Sequence, residues 1–366
     1  MKRNKGISLM NILGMTLAFV VSIAIYVYIL HELSYDRYHS RADKVYRVTY
    51  RYQNAEGYDI HWARMNQPWV NQMTDEFPEI EKLVRFQSFR SRDVSVGQVN
   101  YREQFSYAVD QEVFDLFDLP IVLGSKAASL QPYTVVLTET AADKYFGDQD
   151  PTGKSIMISN DMGAKDRYMV TAVIKDPPDN THLPIHMLTS INDEQDRRGW
   201  AYTYILLNDE ANISSVESKI ADFISTHGNE NDEGQLTVHF QPLKNIHLYS
   251  HLSREIVANG DVKNLMIFAL VGLFLLIIAS VNFINLNVVR SLDRIKEFGL
   301  RKSLGAHGGE HQVYLVLDAI VLCFLSAAFA TIIFFLGLRQ FQQFLGHQLV
   351  FDPLWLLPLL LLLVVT

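Results

Sequence analysis

The sequence predicts a membrane protein: three complete transmembrane α-helices and a truncated fourth, with a large α+β extracytoplasmic domain inserted between the first and second helices. Three observations predict it. Ile7 to Leu30 and Leu265 to Val289 carry no charge, and Val313 to Leu338 carries only Asp318. As helices rising about 1.5 Å per residue, each is long enough for a hydrocarbon core of roughly 30 Å. Residues 31 to 261 are polar and carry several runs that alternate like strands, and basic residues flank the apolar runs in the pattern that fixes orientation.

Taken in order, Lys2, Arg3 and Lys5 precede the first run, which places the N-terminus (1–6) in the cytoplasm. The apolar run of 7–30 exceeds the core of a cleaved signal peptide and no A-x-A-like site follows it, so an uncleaved anchor is expected. Residues 31–261 then lie outside, 262–289 form the second span, and 290–310 return to the cytoplasm. There Arg290, Arg294, Lys296, Arg301 and Lys302 outnumber Asp293, Glu297 and Glu310, an independent check on the topology. The third span is expected over 311–338, an outer loop over 339–353 and the start of a fourth span over 354–366. That last run is about half the needed length, so a chain continuing past Thr366 is expected.

Between the first two spans the chain holds 35 acidic and 22 Lys/Arg residues, against 5 and 10 elsewhere. Such an acidic exterior argues against a nucleic-acid partner. Cys323, the only cysteine, falls in the third span, so the outer domain is expected to have neither disulfide nor thiol metal site. Its strands are read at 45–50, 82–89, 92–109, 134–137, 154–159, 167–175, 200–207 and 236–241. In the first, Val45, Arg47 and Thr49 stand opposite Tyr46, Val48 and Tyr50, as in a half-buried strand. Helices are expected over 66–77, stopped by Pro78, over "ETAADKYFG", closed by Gly147, and over "ISSVESKIADFISTHG", with Ile213, Val216, Ile220, Phe223 and Ile224 on one face.

Three stretches suggest chemistry. "YFGDQDPTGKSI" ends in Gly-Lys-Ser, but five residues rather than four separate Gly147 from Gly153, Pro151 lacks an N–H, and "SIMIS" alternates like a strand where a phosphate loop needs a helix. A turn into a strand is the reading. "HGGEH", His307 to His311, matches the H-x-x-E-H of inverted zinc peptidases, but Gly308 and Gly309 disfavour the required helix by about 1 kcal/mol each, so a cytoplasmic turn is expected and a metalloprotease is a remote alternative. In "THLPIH", Pro184 prevents His182 and His186 from sharing a helical face, and both read as surface histidines. No catalytic residue and no metal ligand is assigned. Within the spans, Asn282, Asn285 and Asn287 read as interhelical hydrogen-bonding groups, and Asp318 as a bundle or interfacial carboxylate.

The segment "RSLDRIKEFGLRKSLGAHGGEHQ" places Leu292, Ile295 and Phe298 at helical spacing among charged residues. It suits a helix resting on the inner leaflet and a handle for a partner equally well. "NFINLNVVRSLDRIKEFGLRKSLGA", Asn282 to Ala306, resembles the signature of FtsX-like and MacB-type ABC transporter permeases, with an Arg-x-Lys-Glu-x-Gly-x-Arg-Lys-x-x-Gly-Ala pattern filled from Arg294 to Ala306. "VVLTETAADKYFGDQDPTGKSI", "YDRYHSRADKVYRV" and "VTAVIKDPPDNTHLPI" are similar to further stretches of such permeases, mostly of Bacteroidetes type, with a MacB-like periplasmic core domain.

The resemblance implies an inner-membrane permease subunit, itself not an enzyme, whose cytoplasmic coupling helix fits a groove on a separate ABC ATPase. The coupling residues it implies are Arg294, Lys296, Glu297, Phe298, Gly299, Arg301, Lys302, Gly305 and Ala306. ATP and Mg would be bound by that ATPase and no cofactor by this chain. It further implies a homodimer or pseudo-dimer in contact with lipid, with a periplasmic adaptor or outer-membrane partner, moving its periplasmic domain for export or extraction of a substrate. The alternative is an FtsX-like signalling scaffold that controls a cell-wall hydrolase or senses peptides. Relatives commonly carry glutamate where this chain has Asp318.

Overall fold

The computed structural model describes residues 5–65, 72–88, 92–126, 130–159, 163–191, 200–227, 234–292 and 308–346, with 348, 349, 352, 354 and 356 near the C-terminal end. Two compact units divide at Leu33/Ser34 and Gly260/Asp261. One comprises the long helices and the other, Ser34–Gly260, is the α/β domain.

In chain order the elements are α1 (Lys5–Leu33), β1 (Val45–Asn54), β2 (Asp59–Trp62), α2 (Met73–Glu76), β3 (Ile80–Ser88), β4 (Arg92–Val96), β5 (Val99–Glu103), β6 (Ser106–Val109), α3 (Val113–Leu116), β7 (Ile121–Gly124), β8 (Thr134–Thr138), α4 (Glu139–Phe146), β9 (Ser155–Ser159), β10 (Lys165–Ile174), β11 (Met187–Ser190), β12 (Ala201–Leu207), α5 (Ile213–His227), β13 (Gly234–Pro242), α6 (Ile246–Tyr249), α7 (Val262–Leu292) and α8 (Gly308–Leu345). The strands join one sheet in the order β13-β1-β12-β3-β6-β11-β8-β10-β9-β4-β5, with β2 added to β1 and β7 to β10. Pairing is antiparallel except for β8 with β10 and β6 with β11.

Both faces of this sheet are covered, and the half-buried pattern read for β1 is corrected accordingly. Along β12, Tyr202, Tyr204 and Leu206 enter one core while Ile205 and Leu207 enter another. Along β8, Val136 enters the first core, and Val135 and Leu137 a third. One core thus lines one face from β1 to β10. The other face is divided between α5, through Val216, Ile220 and Phe223, and α4, through Ala141, Ala142 and Tyr145. Strands buried on both faces lose strict alternation, which is why "TVVLT" and "AYTYILL" are almost continuously apolar.

Local chemistry sets several boundaries. Thr138 caps α4, its hydroxyl accepting from the Ala141 N–H at 3.4 Å, and Gly147 ends that helix at φ 58. Asn212 precedes α5 and accepts from the Ser214 N–H at 3.2 Å. The run read at 92–109 is three strands, because Gly97 turns the chain at φ 61 between β4 and β5. Of the helix expected over 66–77, Met73–Glu76 is a single turn, and 66–71 lie outside the described residues.

In the other unit, α1 packs against both α7 and α8. Met15, Phe19, Ile23 and Val27, spaced by four, meet Leu322, Cys323, Ala327, Ala330 and Phe334 in one core with Phe283. α8 continues to Leu345, beyond the end expected at 338, because Arg339 to Leu345 contains no breaker before Gly346 at φ 80. The outer loop expected over 339–353 is shortened by that much.

Gly124 fixes the attachment of β7 to β10. It sits at φ 89, and a Cβ there would lie 2.2 Å from the Thr171 carbonyl oxygen and 2.8 Å from Ala172 Cα. Gly124→Ala therefore combines left-handed strain with a backbone clash. We expect it to lower the unfolding free energy of the purified protein by on the order of 1–3 kcal/mol or to detach β7, read by thermal melting and amide exchange at 121–124.

Candidate functional site

Two seams tie the α/β domain to the chain that enters it after α1 and leaves it before α7. The first begins directly after α1. Asp36, fully buried, adopts φ 57, a left-handed conformation that Asp tolerates better than most residues. Its N–H donates to the Asn180 carbonyl at 3.0 Å, and its Oδ1 accepts from the Thr181 hydroxyl and the His182 N–H, both at 3.2 Å. Oδ2 lies 2.9 Å from His182 Nδ1, close enough for an ion pair though off the line of a good hydrogen bond. His182 Nε2 is 2.8 Å from the buried Tyr204 hydroxyl on β12. Asn180 Nδ2 donates to Ser34 Oγ at 2.9 Å, and the Tyr38 hydroxyl to Thr181 Oγ1 at 3.2 Å. The segments "YDRYHSRADKVYRV" and "VTAVIKDPPDNTHLPI", some 145 positions apart, thus form one polar knot.

His182 is accordingly not a surface histidine: Asp36 and Tyr204 give it two buried partners, a contact that no local spacing reveals. His186 is half-exposed, its Nδ1 3.0 Å from Glu103. Burial raises the Glu103 carboxyl, but His186 and Lys144, both bonded to it, outweigh that and hold it at about 2.

The second seam serves the chain that returns toward α7. Arg47 of β1 has no exposed side-chain surface. Its Nη1 donates to Glu255 at 2.6 Å, and its Nη2 to Glu255 at 2.8 Å, Gln241 at 2.7 Å and Ser250 at 2.8 Å. Ser250 also bonds Glu255, and Asn259 Nδ2 donates to the Ser250 carbonyl at 3.0 Å. Tyr35 stacks on His247 of α6, with ring centroids 3.3 Å apart and 4° between planes, so the two seams share a contact. The alternation of β1 places Arg47 on a strand face without disclosing its role. The available signal is a charged residue inside a strand otherwise rich in β-branched and aromatic residues.

The sequence-predicted residues divide. Arg294, Lys296, Glu297, Phe298, Gly299, Arg301, Lys302, Gly305 and Ala306 lie outside the described residues. Asn282 and Asn285 are exposed on α7. Asp318 is half-buried, the third residue of the apolar stretch Val316–Leu345 and so near its end rather than at its centre. "HGGEH" is not a turn throughout, because α8 begins at Gly308. Glycine costs least in a first turn, where N–H groups have no intrahelical partner. His307 lies outside the described residues, and among those described no three His, Cys, Asp or Glu side chains gather as metal ligands.

In "YFGDQDPTGKSI" the backbone donors are committed within the chain. The Gly147 N–H bonds Asp143 at 2.8 Å, Gly153 bonds Val170 at 2.8 Å, Lys154 bonds Pro151 at 3.0 Å, and Thr152 bonds the Asp150 carboxylate at 2.8 Å. β9 begins at Ser155, where a phosphate loop would begin a helix.

A bundle of membrane-length helices with an α/β domain spliced between the first two defines a membrane subunit whose folded bulk lies outside the spans. The family model described as MacB-like periplasmic core domain matches residues 8–223, and that described as FtsX-like permease C-terminal matches 269–366. The chain belongs to this family of FtsX/MacB-type ABC permeases. It is 22% identical over 227 residues to the macrolide export ATP-binding/permease protein MacB of Neisseria gonorrhoeae, covering 60% of this chain. To the protein of the same name from Aggregatibacter actinomycetemcomitans it is 19% identical over 242 residues, 63% of this chain and 35% of that one. The chain spans about a third of the length of the curated relatives it matches, 33% for the Neisseria protein. Among solved structures, a domain of a protein described as a permease from Porphyromonas gingivalis aligns at TM-score 0.49 and 16% identity over 56% of this chain and 91% of that one. The periplasmic region of MacB from Actinobacillus actinomycetemcomitans aligns at 0.38 and 16% over 54% and 89%.

Two outcomes test the seams. Arg47→Ala would leave Glu255 buried without its cation, and we expect a loss of about 3–5 kcal/mol in unfolding free energy, while Arg47→Met recovers part of it. In the first seam, the Asp118 N–H donates to His39 Nδ1 at 3.1 Å, which requires a neutral ring. Burial lowers His39 from 6.5 to about 4, and the nearby His182 lowers it too, against the upward pull of Asp36 and Asp118. Neutral His39 thus contributes stability fully present above the unfolded value of 6.5 and lost as pH falls through about 4. Thermal melts between pH 7 and 4 should show this loss, and His39→Gln should flatten it.

Proposed function

We propose that this chain is the permease subunit of an inner-membrane ABC-type complex, converting ATP hydrolysis by a separate cytoplasmic ATPase into movement of its periplasmic domain for export or extraction of a substrate. The observation that carries this reading is the double seam. The segment that follows α1 and the segment that precedes α7 are each fastened to the sheet by buried polar groups, Asp36 to His182 and Arg47 to Glu255. A displacement of either helix then enters the sheet at a stiff point instead of dissipating in a loop.

Family membership and the pattern from Arg294 to Ala306 support the rest. Lys2, Arg3 and Lys5, with the basic excess of 290–310, favour a cytoplasmic N-terminus and coupling segment. In this scheme Glu297, Arg301 and Lys302 meet the ATPase, ATP and Mg stay on that partner, and the permease does no chemistry. Two copies, or one copy and a homologous half, flank two ATPases. An adaptor that extends the path toward the outer membrane belongs to the same reading.

Reconstitution with the ATPase tests it. Glu297→Ala and Gly299→Pro should each remove at least about tenfold of the ATPase stimulation that the full chain confers, a change of about 1.4 kcal/mol or more in coupling. Asp36→Ala should preserve ATPase binding yet weaken the response of the outer domain, read by a fluorophore on that domain. ATP hydrolysis by the purified chain alone, or protease access to 290–310 from the periplasmic side, would exclude the proposal.

A further inference from the structure

Of the four carboxamides near the start of α1 and in the second half of α7, Asn11, Asn282 and Asn285 make no hydrogen bond among the described residues, whereas Asn287 has an interaction of its own. Asn11 of α1 is 1% exposed, and both its Oδ1 and its Nδ2 lack a partner. On α7, Asn282 and Asn285 are exposed amides. A buried amide without a partner carries a desolvation cost, so it marks a conformation that the sequence does not fully favour.

The helix contacts place these groups together. Asn282 Nδ2 lies 3.7 Å from where a Cβ on Gly14 would be, a Cβ on Gly272 would lie 3.6 Å from Ile25, and Tyr28 meets Phe268 with centroids 5.6 Å apart. Positions rise along α1 as they fall along α7, so the helices are antiparallel. Asn11, three residues before Gly14, is then level with Asn285, three residues after Asn282. At about 100° per residue Asn11 points between the α7-facing line of Gly14 and Ile25 and the α8-facing line of Met15, Phe19 and Ile23. Asn285 is turned about 60° from Asn282, and Asn282 is about 4.5 Å along the axis from the level of Asn11. Gly14, lacking a side chain, puts nothing in the way of either motion.

We propose that α1 and α7 have a second setting, reached by a turn of α7 of about 60° or a slide of about one helical turn, in which the Asn11 carboxamide pairs with that of Asn285 or Asn282. The described setting leaves the buried Asn11 amide without a partner, and the second satisfies it inside the bundle. A lipid or a second copy reaches Asn282 and Asn285 but not Asn11, whose burial restricts its partner to its own chain. Assigning the change of setting to the ATPase cycle rests on the permease reading; the pairing itself does not.

Cys323→Ala leaves a cysteine-free chain in which to place Asn11→Cys with Asn285→Cys, or with Asn282→Cys. Mild oxidation of the full chain should give an intramolecular crosslink for at least one pair. In the reconstituted complex its yield should change severalfold between nucleotide-free and ADP-vanadate-trapped ATPase. Asn11→Leu removes the unmet amide from the described setting and the pairing from the second. It should therefore raise the melting temperature of the isolated chain and reduce ATPase stimulation severalfold in the complex. No crosslink for either pair in any state, or a lower melting temperature for Asn11→Leu, overturns the proposal. A crosslink in the isolated chain whose yield ignores nucleotide keeps the pairing and removes the permease reading from it.

Discussion

The guanidinium of Arg47, shut off from water on the strand next to one edge of the sheet, sets the terms for much of this molecule. A buried cation is tolerable only when its hydrogen-bonding capacity is met at close range, and here the partners come from positions 241, 250 and 255, all late in the domain. The first strand can therefore close only after the last segment has returned. The two ends of a domain that runs from Ser34 to Gly260 are thus joined through this side chain as well as through the pairing of β1 with β13 and the stack of Tyr35 on His247.

Asp36 repeats the device at the other seam. Its left-handed backbone is held by groups from 180 to 182, and those groups are presented by a loop between two strands of the same sheet, β10 and β11. Because the sheet is buried on both faces, neither seam can yield without disturbing a core. In the function proposed above, a stiff plate fastened at both of its chain crossings would pass on a displacement that a domain hung on flexible linkers would absorb.

The helices obey a different rule. Their outward faces carry exposed apolar side chains such as Phe274, Ile278 and Leu336, as lipid requires, so hydrophobicity cannot hold α1 to its neighbours. Close packing does it instead, with the small Ala327 and Ala330 of α8 buried in the core that Met15, Phe19 and Ile23 of α1 share. Thr16 adds a hydrogen bond of 3.4 Å to the Ser326 carbonyl. Contacts of this kind are short in reach and few in kind, which suits helices that shift against one another.

Much of this was legible in the sequence. Long apolar runs with at most one charge pointed to the three spans, because lipid disfavours charge and demands helix over a set length. Gly147 and Pro78 mark boundaries by local chemistry alone, and the strand pattern after Lys154 argues against a phosphate loop from the sequence itself. The turn at Gly97 was open to the same kind of reasoning, since a lone glycine inside an alternating run is a turn signal. The pattern from Arg294 to Ala306 pointed to the family through likeness rather than through physics. What only the tertiary structure decided were the long-range partners: His182 inside the fold instead of on it, Arg47 as a clamp, β1 covered on both faces, and Asn11 sealed in without a bond. Local periodicity reports which face of an element is apolar. It carries no information about which distant residue arrives to meet a buried charge, because that depends on sheet order, and sheet order is settled by the packing of the whole domain.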